Sequence, residues 1–373
     1  MAWDKGVSPR NKNRGTAAGL SEGRAALRSA MQARLTLSIL VALALLPSAD
    51  AQSYRFLKEI ALGGEGGWDY LSIDPAARRL YVTHGTKIDV VDLNSEKLIG
   101  EIADTPGVHG FALAPELGRG FASNGSEGTV SIVDLKTRQT IAKVPTGENP
   151  DAILYEPKRD EVYVFNGRGK SATVFEGKSG RILAAIPLPG KPEFAAADGE
   201  RVFVNIEDQS EVVAMDAATH RVTATWPLAP GEKPTGMAID VPQHRLFIGC
   251  SNKLMVMLDS VEGKVIATVP IGSGVDATAF DPSTRLVFSS NGEGNVTIAK
   301  EEAPDKLSVQ QTLPTRRGAR TMALDPTTHK IYLVTADFEQ MPTPPSGAPR
   351  QRPKIIPGTM KLLVYGTTLP PGE

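Results

Sequence analysis

The sequence predicts an all-β fold: a seven-bladed β-propeller with four antiparallel strands in each blade. Two observations predict it. Anchor positions, Asp-Pro in the clearest copies, fall at 74, 114, 156, 198, 240, 281 and 325, with spacings of 40, 42, 42, 42, 41 and 44 residues. Between the anchors run short stretches of β-favouring residues separated by Gly, Asn, Asp and Pro turns, with no 3.6-residue period. A four-stranded sheet cannot bury both faces alone, and a repeat near 42 residues stacks its copies into a ring.

The chain begins with a leader. Residues 1–30 are polar and basic and read as an upstream extension, with Met31 as an alternative translation start. Residues 31–51 read as a signal peptide: Arg34 supplies the positive charge, Leu35 to Leu46 the apolar core, and Ala49-Asp50-Ala51 a small-x-small cleavage site before Gln52. A membrane anchor is the rival reading. The twelve-residue core, ended by Pro47, is too short to span a bilayer. The expected location is periplasmic or secreted.

Residues 52–373 then form a single propeller domain. Removing the leader's seven basic and three acidic groups leaves 34 Lys/Arg against 39 Asp/Glu, a net charge of −5. That balance gives no pull toward nucleic acid or an anionic membrane surface. The single cysteine, Cys250, excludes an internal disulfide and reads as a small buried apolar residue. The expected partner is a small molecule or a protein, and the expected state a monomer.

The second unit, Gly107 to Val144, is the clearest copy. Its strands are Phe111-Ala112-Leu113, Phe121-Ala122-Ser123-Asn124, Thr129 to Leu135 and Thr140 to Val144. The second strand recurs as Tyr81-Val82-Thr83-His84, Tyr163-Val164-Phe165-Asn166, Phe203-Val204-Asn205, Phe247-Ile248-Gly249, Val287-Phe288-Ser289 and Tyr332-Leu333-Val334. Third strands end at Asp92, Asp134, Glu176, Asp216 and Asp259, which read as turn caps. Tyr54 to Leu62 reads as a fourth strand with no blade before it, while the last unit stops after three. The N-terminal strand is therefore expected to complete the last blade and close the ring.

Tyr81-Val82-Thr83-His84 and its copies resemble the YVTN repeat, and residues from about 54 to 365 are similar to exported YncE-like seven-bladed propellers. The resemblance implies the fold. It implies no activity, because one propeller fold hosts many functions. His84 stands where the repeat has Asn, and units four to seven read as lacking that Asn.

In a propeller the first strand of each blade lines the central channel. Counting five residues back from each anchor gives Asp69, His109, Asp151, Glu193, Thr235, Asp276 and Arg320, one per blade at one channel mouth. These are the candidate ligand-binding residues. Gathered carboxylates repel one another unless a cation sits among them. Asp69, His109, Asp151, Glu193 and Asp276 are thus candidate ligands for a divalent cation: Ca²⁺ through oxygens, or a transition metal through His109. The same residue types at strand starts also cap turn N–H groups, and Arg320 can pair with Asp276 or Asp69. His84, His220, His244 and His329 read as surface residues.

Residues 336–359 interrupt the last unit with a Pro-rich insertion on the face of the mouth, where Phe338 and Met341 could meet a ligand. Arg316, Arg317 and Arg320 gather a basic patch in the same unit. No nucleophile elbow, His-Glu-x-x-His pair, haem motif or phosphate loop is present, so no catalytic residue is assigned. Three functions follow. The first is a non-catalytic binding or scaffold protein with its ligand or partner at the channel mouth. The second is a metal-dependent, lactonase-like hydrolase using the carboxylate/His ring. The third, nucleic-acid binding, is disfavoured by charge.

Overall fold

Each repeat folds as one sheet of four antiparallel strands, and seven such sheets make the propeller. The computed structural model describes residues 53–339 and 354–367. The extension 1–30, the signal peptide 31–51 and the middle of the insertion, with Met341, lie outside the described residues. Among those described, the only other regular elements are two 3-10 turns, Pro115–Leu117 and Glu207–Gln209.

The innermost strands of blades one to seven are Trp68–Asp74, Val108–Ala114, Pro150–Glu156, Pro192–Ala197, Pro234–Asp240, Val275–Asp281 and Met322–Leu324. Each packs against the innermost strand of the next blade, and Met322–Leu324 packs back against Trp68–Asp74, so the seven wall a central channel. The aromatic of each second strand builds the core. Tyr81, Phe121, Tyr163, Phe203, Phe247, Phe288 and Tyr332 are all at most 1% exposed. They fill the layers between sheets: Tyr81 meets Phe111 of the next blade at 5.1 Å between ring centroids, and Phe121 meets Tyr155 at 5.9 Å. Apolar burial therefore lies between blades, which is why one blade has no core of its own. Cys250 is buried in one of these layers.

The ring closes through its N-terminal strand. Arg55–Ala61 pairs antiparallel with Lys361–Gly366, from Arg55 opposite Gly366 to Ala61 opposite Lys361. Tyr54 adds two long-range ties: its N–H donates to Gln311 Oε1 at 2.9 Å and its hydroxyl to the His329 carbonyl at 2.7 Å.

The turn chemistry explains the repeat signature. Asp92, Asp134 and Asp216 each accept, on Oδ1, the backbone N–H three residues on, from Ser95, Thr137 and Thr219, at 2.7 Å. Asp259 accepts from Val261 and Glu262, and Glu176 from the Ser179 hydroxyl. The Asn ending a second strand staples it to the third: Asn124 Nδ2 donates to Thr129 Oγ1 and Ser131 Oγ, and Asn166 Nδ2 to Ser171 Oγ and Thr173 Oγ1.

Two sequence readings change here. Blade six does carry the Asn: Asn291 pairs with Asn295 in register and donates to Asn295 Oδ1 and Thr297 Oγ1. His84 is not a surface residue. It is buried in the Asn place of blade one, with Nδ1 2.8 Å from Asp89 Oδ2. The Gly63–Gly67 segment covers it so closely that a Cβ on Gly64 would stand 2.5 Å from His84 Cε1. His220 and His329 are mostly shielded beside Glu161 and Asp281, and His244 is exposed.

Candidate functional site

Six of the seven innermost strands enter their sheet through a β-bulge. The register shifts fall between Trp68 and Leu71, Val108 and Phe111, Pro150 and Ile153, Pro192 and Ala195, Pro234 and Met237, and Val275 and Ala277. Asp69, His109, Asp151, Glu193, Thr235 and Asp276 all lie inside these bulges. A bulge releases a side chain from the in-out alternation of its strand and re-aims it. Arg320 precedes the shorter strand of blade seven. Neighbouring innermost strands come very close at this level. A Cβ on Gly236 would lie 2.5 Å from the Thr278 nitrogen, and one on Gly110 2.7 Å from Ile153 Cγ2.

The side chains sort into three groups. Asp69, His109 and Asp151 form the first: His109 Nδ1 lies 2.7 Å from Asp69 Oδ2 and 3.8 Å from Asp151 Oδ1. One ligand atom from each of the three falls within 4.8 Å of the others. In the second group Lys191 joins Glu193 to Glu207, the latter at 2.6 Å. In the third, Arg320 Nε lies 3.3 Å from Asp276 Oδ2. Thr235 stands apart, its hydroxyl donating to the Val275 carbonyl at 3.1 Å and so tying blade five to blade six. Among the described residues none of the four carboxylates receives a turn N–H.

These acids are recessed but reachable, with Asp69, Asp151, Glu193 and Asp276 exposed by 23%, 15%, 17% and 29%. Burial, helped by Asp69 and opposed by His109, raises the Asp151 carboxyl to about 6. Burial and the Asp151 charge raise Glu193 to about 8 despite Lys191. Burial raises Asp276 to about 7 against Arg320, with Asp69 and Asp151 adding to it. Burial pulls the His109 imidazole down, but the Asp69 hydrogen bond and the charges of Asp151, Asp69 and Glu193 outweigh it, and its pKa rises. The mouth thus gathers more negative charge than it neutralises, and holds protons in compensation.

The groups open on two adjoining cavities. The larger, about 1040 Å³, is lined by Asp69, His109, Asp276 and Arg320, and also by Trp68, Arg168, Arg317, Phe338 and Ile355. The smaller, about 600 Å³, reaches Asp151, Arg168, Lys170 and Lys191. The stem of the insertion forms one side of the larger cavity. Phe338 and Ile355 make an antiparallel bridge, with the Glu339 N–H donating to the Lys354 carbonyl at 2.9 Å.

Several residues escaped sequence reasoning. The Tyr70 and Phe194 rings, from blades one and four, meet with centroids 5.2 Å apart across the channel. Burial foremost, and the charges of Asp151, Asp69, Glu193 and Asp276 after it, raise the Tyr70 phenol well above its ordinary value. Each follows a counted position directly. The same place is Gly110, Ala152, Gly236, Ala277 and Thr321 in the other blades. Two large rings among small residues was the available signal. Lys191 left no comparable trace.

No protein-family profile matches the sequence, and no curated protein does. Solved structures match widely, 1856 chains in all, so the fold by itself selects no function. One is hydrazine synthase of Kuenenia stuttgartiensis, at 16% identity and a TM-score of 0.64, covering 77% of this chain and 95% of that one. At that identity the likeness is one of fold: this chain is a seven-bladed β-propeller.

Proposed function

We propose that the protein is an exported binding propeller of the YVTN-repeat kind, which takes its ligand at the channel mouth around a divalent transition-metal ion. The observation that carries this reading is His109 Nδ1 set between Asp69 Oδ2 and Asp151 Oδ1. Ligand atoms each about 2.1 Å from one ion stand roughly 3–3.5 Å apart at tetrahedral or octahedral angles. The observed 2.7 and 3.8 Å bracket that range, so small side-chain movements suffice. One imidazole and two carboxylates suit Zn²⁺, Mn²⁺ or Fe²⁺ better than Ca²⁺, which wants six or more oxygens. Glu193 and Asp276 are engaged by Lys191 and Arg320, so the proposed metal set narrows to three residues. Calorimetric titration of metal-free protein tests it: heat and thermal stabilisation with Zn²⁺ or Mn²⁺ are expected, and their absence refutes it. The leader supports export, and N-terminal sequencing of mature protein should begin at Gln52.

A metal-dependent hydrolase is the second reading, favoured by one observation. Burial and the Asp151 charge push the Glu193 carboxyl up to about 8, the range of a general acid. A panel of lactones and esters offered to Zn²⁺-loaded protein and to Glu193→Gln separates the two readings. Turnover lost in the variant supports hydrolysis, and no turnover leaves binding.

A further inference from the structure

The half of the mouth away from Asp69, His109 and Asp151 has a different chemistry. Arg317 and Arg320 flank Gly318, and the Phe338 ring lies over that glycine: a Cβ there would stand 2.7 Å from Phe338 Cζ. Thr335 fixes the segment by donating to the Arg317 carbonyl at 2.9 Å. Phe338 faces Trp68 with centroids 6.4 Å apart, and the Trp68 Nε1–H finds no acceptor among the described residues. Two arginines thus adjoin an apolar wall in one cavity.

Charge narrows the occupant. In this half Arg317 and Arg320 stand against Asp276, one positive charge more than negative, although the mouth as a whole, with Asp69, Asp151 and Glu193, is acidic. Arg317 is exposed and has no ion-pair partner among the described residues. Arg320 meets Asp276 through Nε, which leaves its terminal nitrogens for another acceptor. A guanidinium fork takes a carboxylate in a bidentate grip, and an aromatic wall beside it takes a flat apolar body.

We propose that this half of the mouth binds a hydrophobic organic monoanion: a planar or aliphatic body against Trp68, Phe338 and Ile355, with one carboxylate held by Arg317 and Arg320. The proposal rests on the mouth being a binding site, not on the metal. The segment carrying Phe338 and Ile355 then serves to build this wall, which no other blade has.

The test is a titration of the full mature chain with 1-naphthoate, its neutral isostere 1-naphthamide and the cation 1-naphthylmethylamine, in EDTA and again with Zn²⁺. Saturable naphthoate binding that quenches Trp68 fluorescence is expected, at least about ten-fold tighter than the amide, with the amine weakest. Arg317→Gln should remove most of the preference for the acid over the amide while leaving the melting temperature unchanged. Trp68→Phe should keep naphthoate binding and lose the quench. An amide or amine that binds as tightly as the acid, or an unchanged preference in Arg317→Gln, overturns the proposal. Zn²⁺ binding without naphthoate binding refutes this inference alone. Naphthoate binding in EDTA with no metal response supports it and refutes the metal.

Discussion

His109 Nδ1 stands 2.7 Å from Asp69 Oδ2, a contact that joins side chains 40 residues apart across the junction of the first two blades. With Asp151 Oδ1 at 3.8 Å on the other side, the nitrogen faces two carboxylates. The charges of these carboxylates outweigh burial and raise the His109 pKa, and the acids beside it are raised too, which gives the mouth a pH signature.

In an unfolded chain carboxyls ionise near pH 4. In the fold Asp151, Asp276 and Glu193 keep their protons to about 6, 7 and 8. Between these limits the folded protein binds more protons than the unfolded one, so stability falls as pH rises from about 4 to about 8. His109 acts in the same sense. Its raised pKa gives stability that is full below about pH 6.5 and lost as pH rises through the folded value. Melting temperatures in EDTA should drop between about pH 5 and pH 8, and the drop should shrink in Asp151→Asn/Glu193→Gln. A double variant with the wild-type slope would show that the mouth is not its source.

Deleting residues 52–62 removes the strand Arg55–Ala61 and the Tyr54 ties. The edge of Lys361–Gly366 would then be open and the last blade incomplete. Aggregation, or a loss of at least several kcal/mol, is expected from an exposed edge and the lost inter-blade packing. Size-exclusion chromatography and thermal melting check it. A truncated monomer with an unchanged melting temperature would contradict closure by this strand.

Gly236→Ala places a methyl 2.5 Å from the backbone nitrogen of Thr278, which cannot move without displacing an innermost strand. A loss of about 1–3 kcal/mol is expected. Gly67→Ala, where nothing lies within 4 Å, should stay within about 0.5 kcal/mol. Denaturant unfolding of both, side by side, separates close approach from a general effect of removing glycine.

The fold was legible because turn chemistry and inter-blade burial repeat every blade, so each copy reports the same anchor, aromatic and third-strand cap. The positions at the mouth were legible too, since counting back from the anchors lands inside the bulges. Their grouping was not. Whether Glu193 faces Asp151 or Lys191 depends on side-chain reach across blades, which no spacing encodes. The burial of His84 was hidden for a similar reason, as its Gly63–Gly67 cover lies in the link between the ring-closing strand and the first strand of blade one. Asn291 was missed because its strand was read only to Ser289, two residues short of its end.

The measurement that bears most directly on the proposed site is a calorimetric titration of metal-free protein with Zn²⁺, Mn²⁺ and Ca²⁺, run beside Asp69→Asn/Asp151→Asn. One Zn²⁺ or Mn²⁺ ion per chain is expected, with Ca²⁺ weaker. The melting temperature should rise as for a ligand that binds only the folded state, about 2.7 kcal/mol at a hundred-fold excess over Kd. The double variant should still fold in EDTA and should show neither heat nor thermal shift with metal. Wild-type protein that shows no heat and no shift, or a double variant that responds like wild type, would contradict a metal held by Asp69, His109 and Asp151.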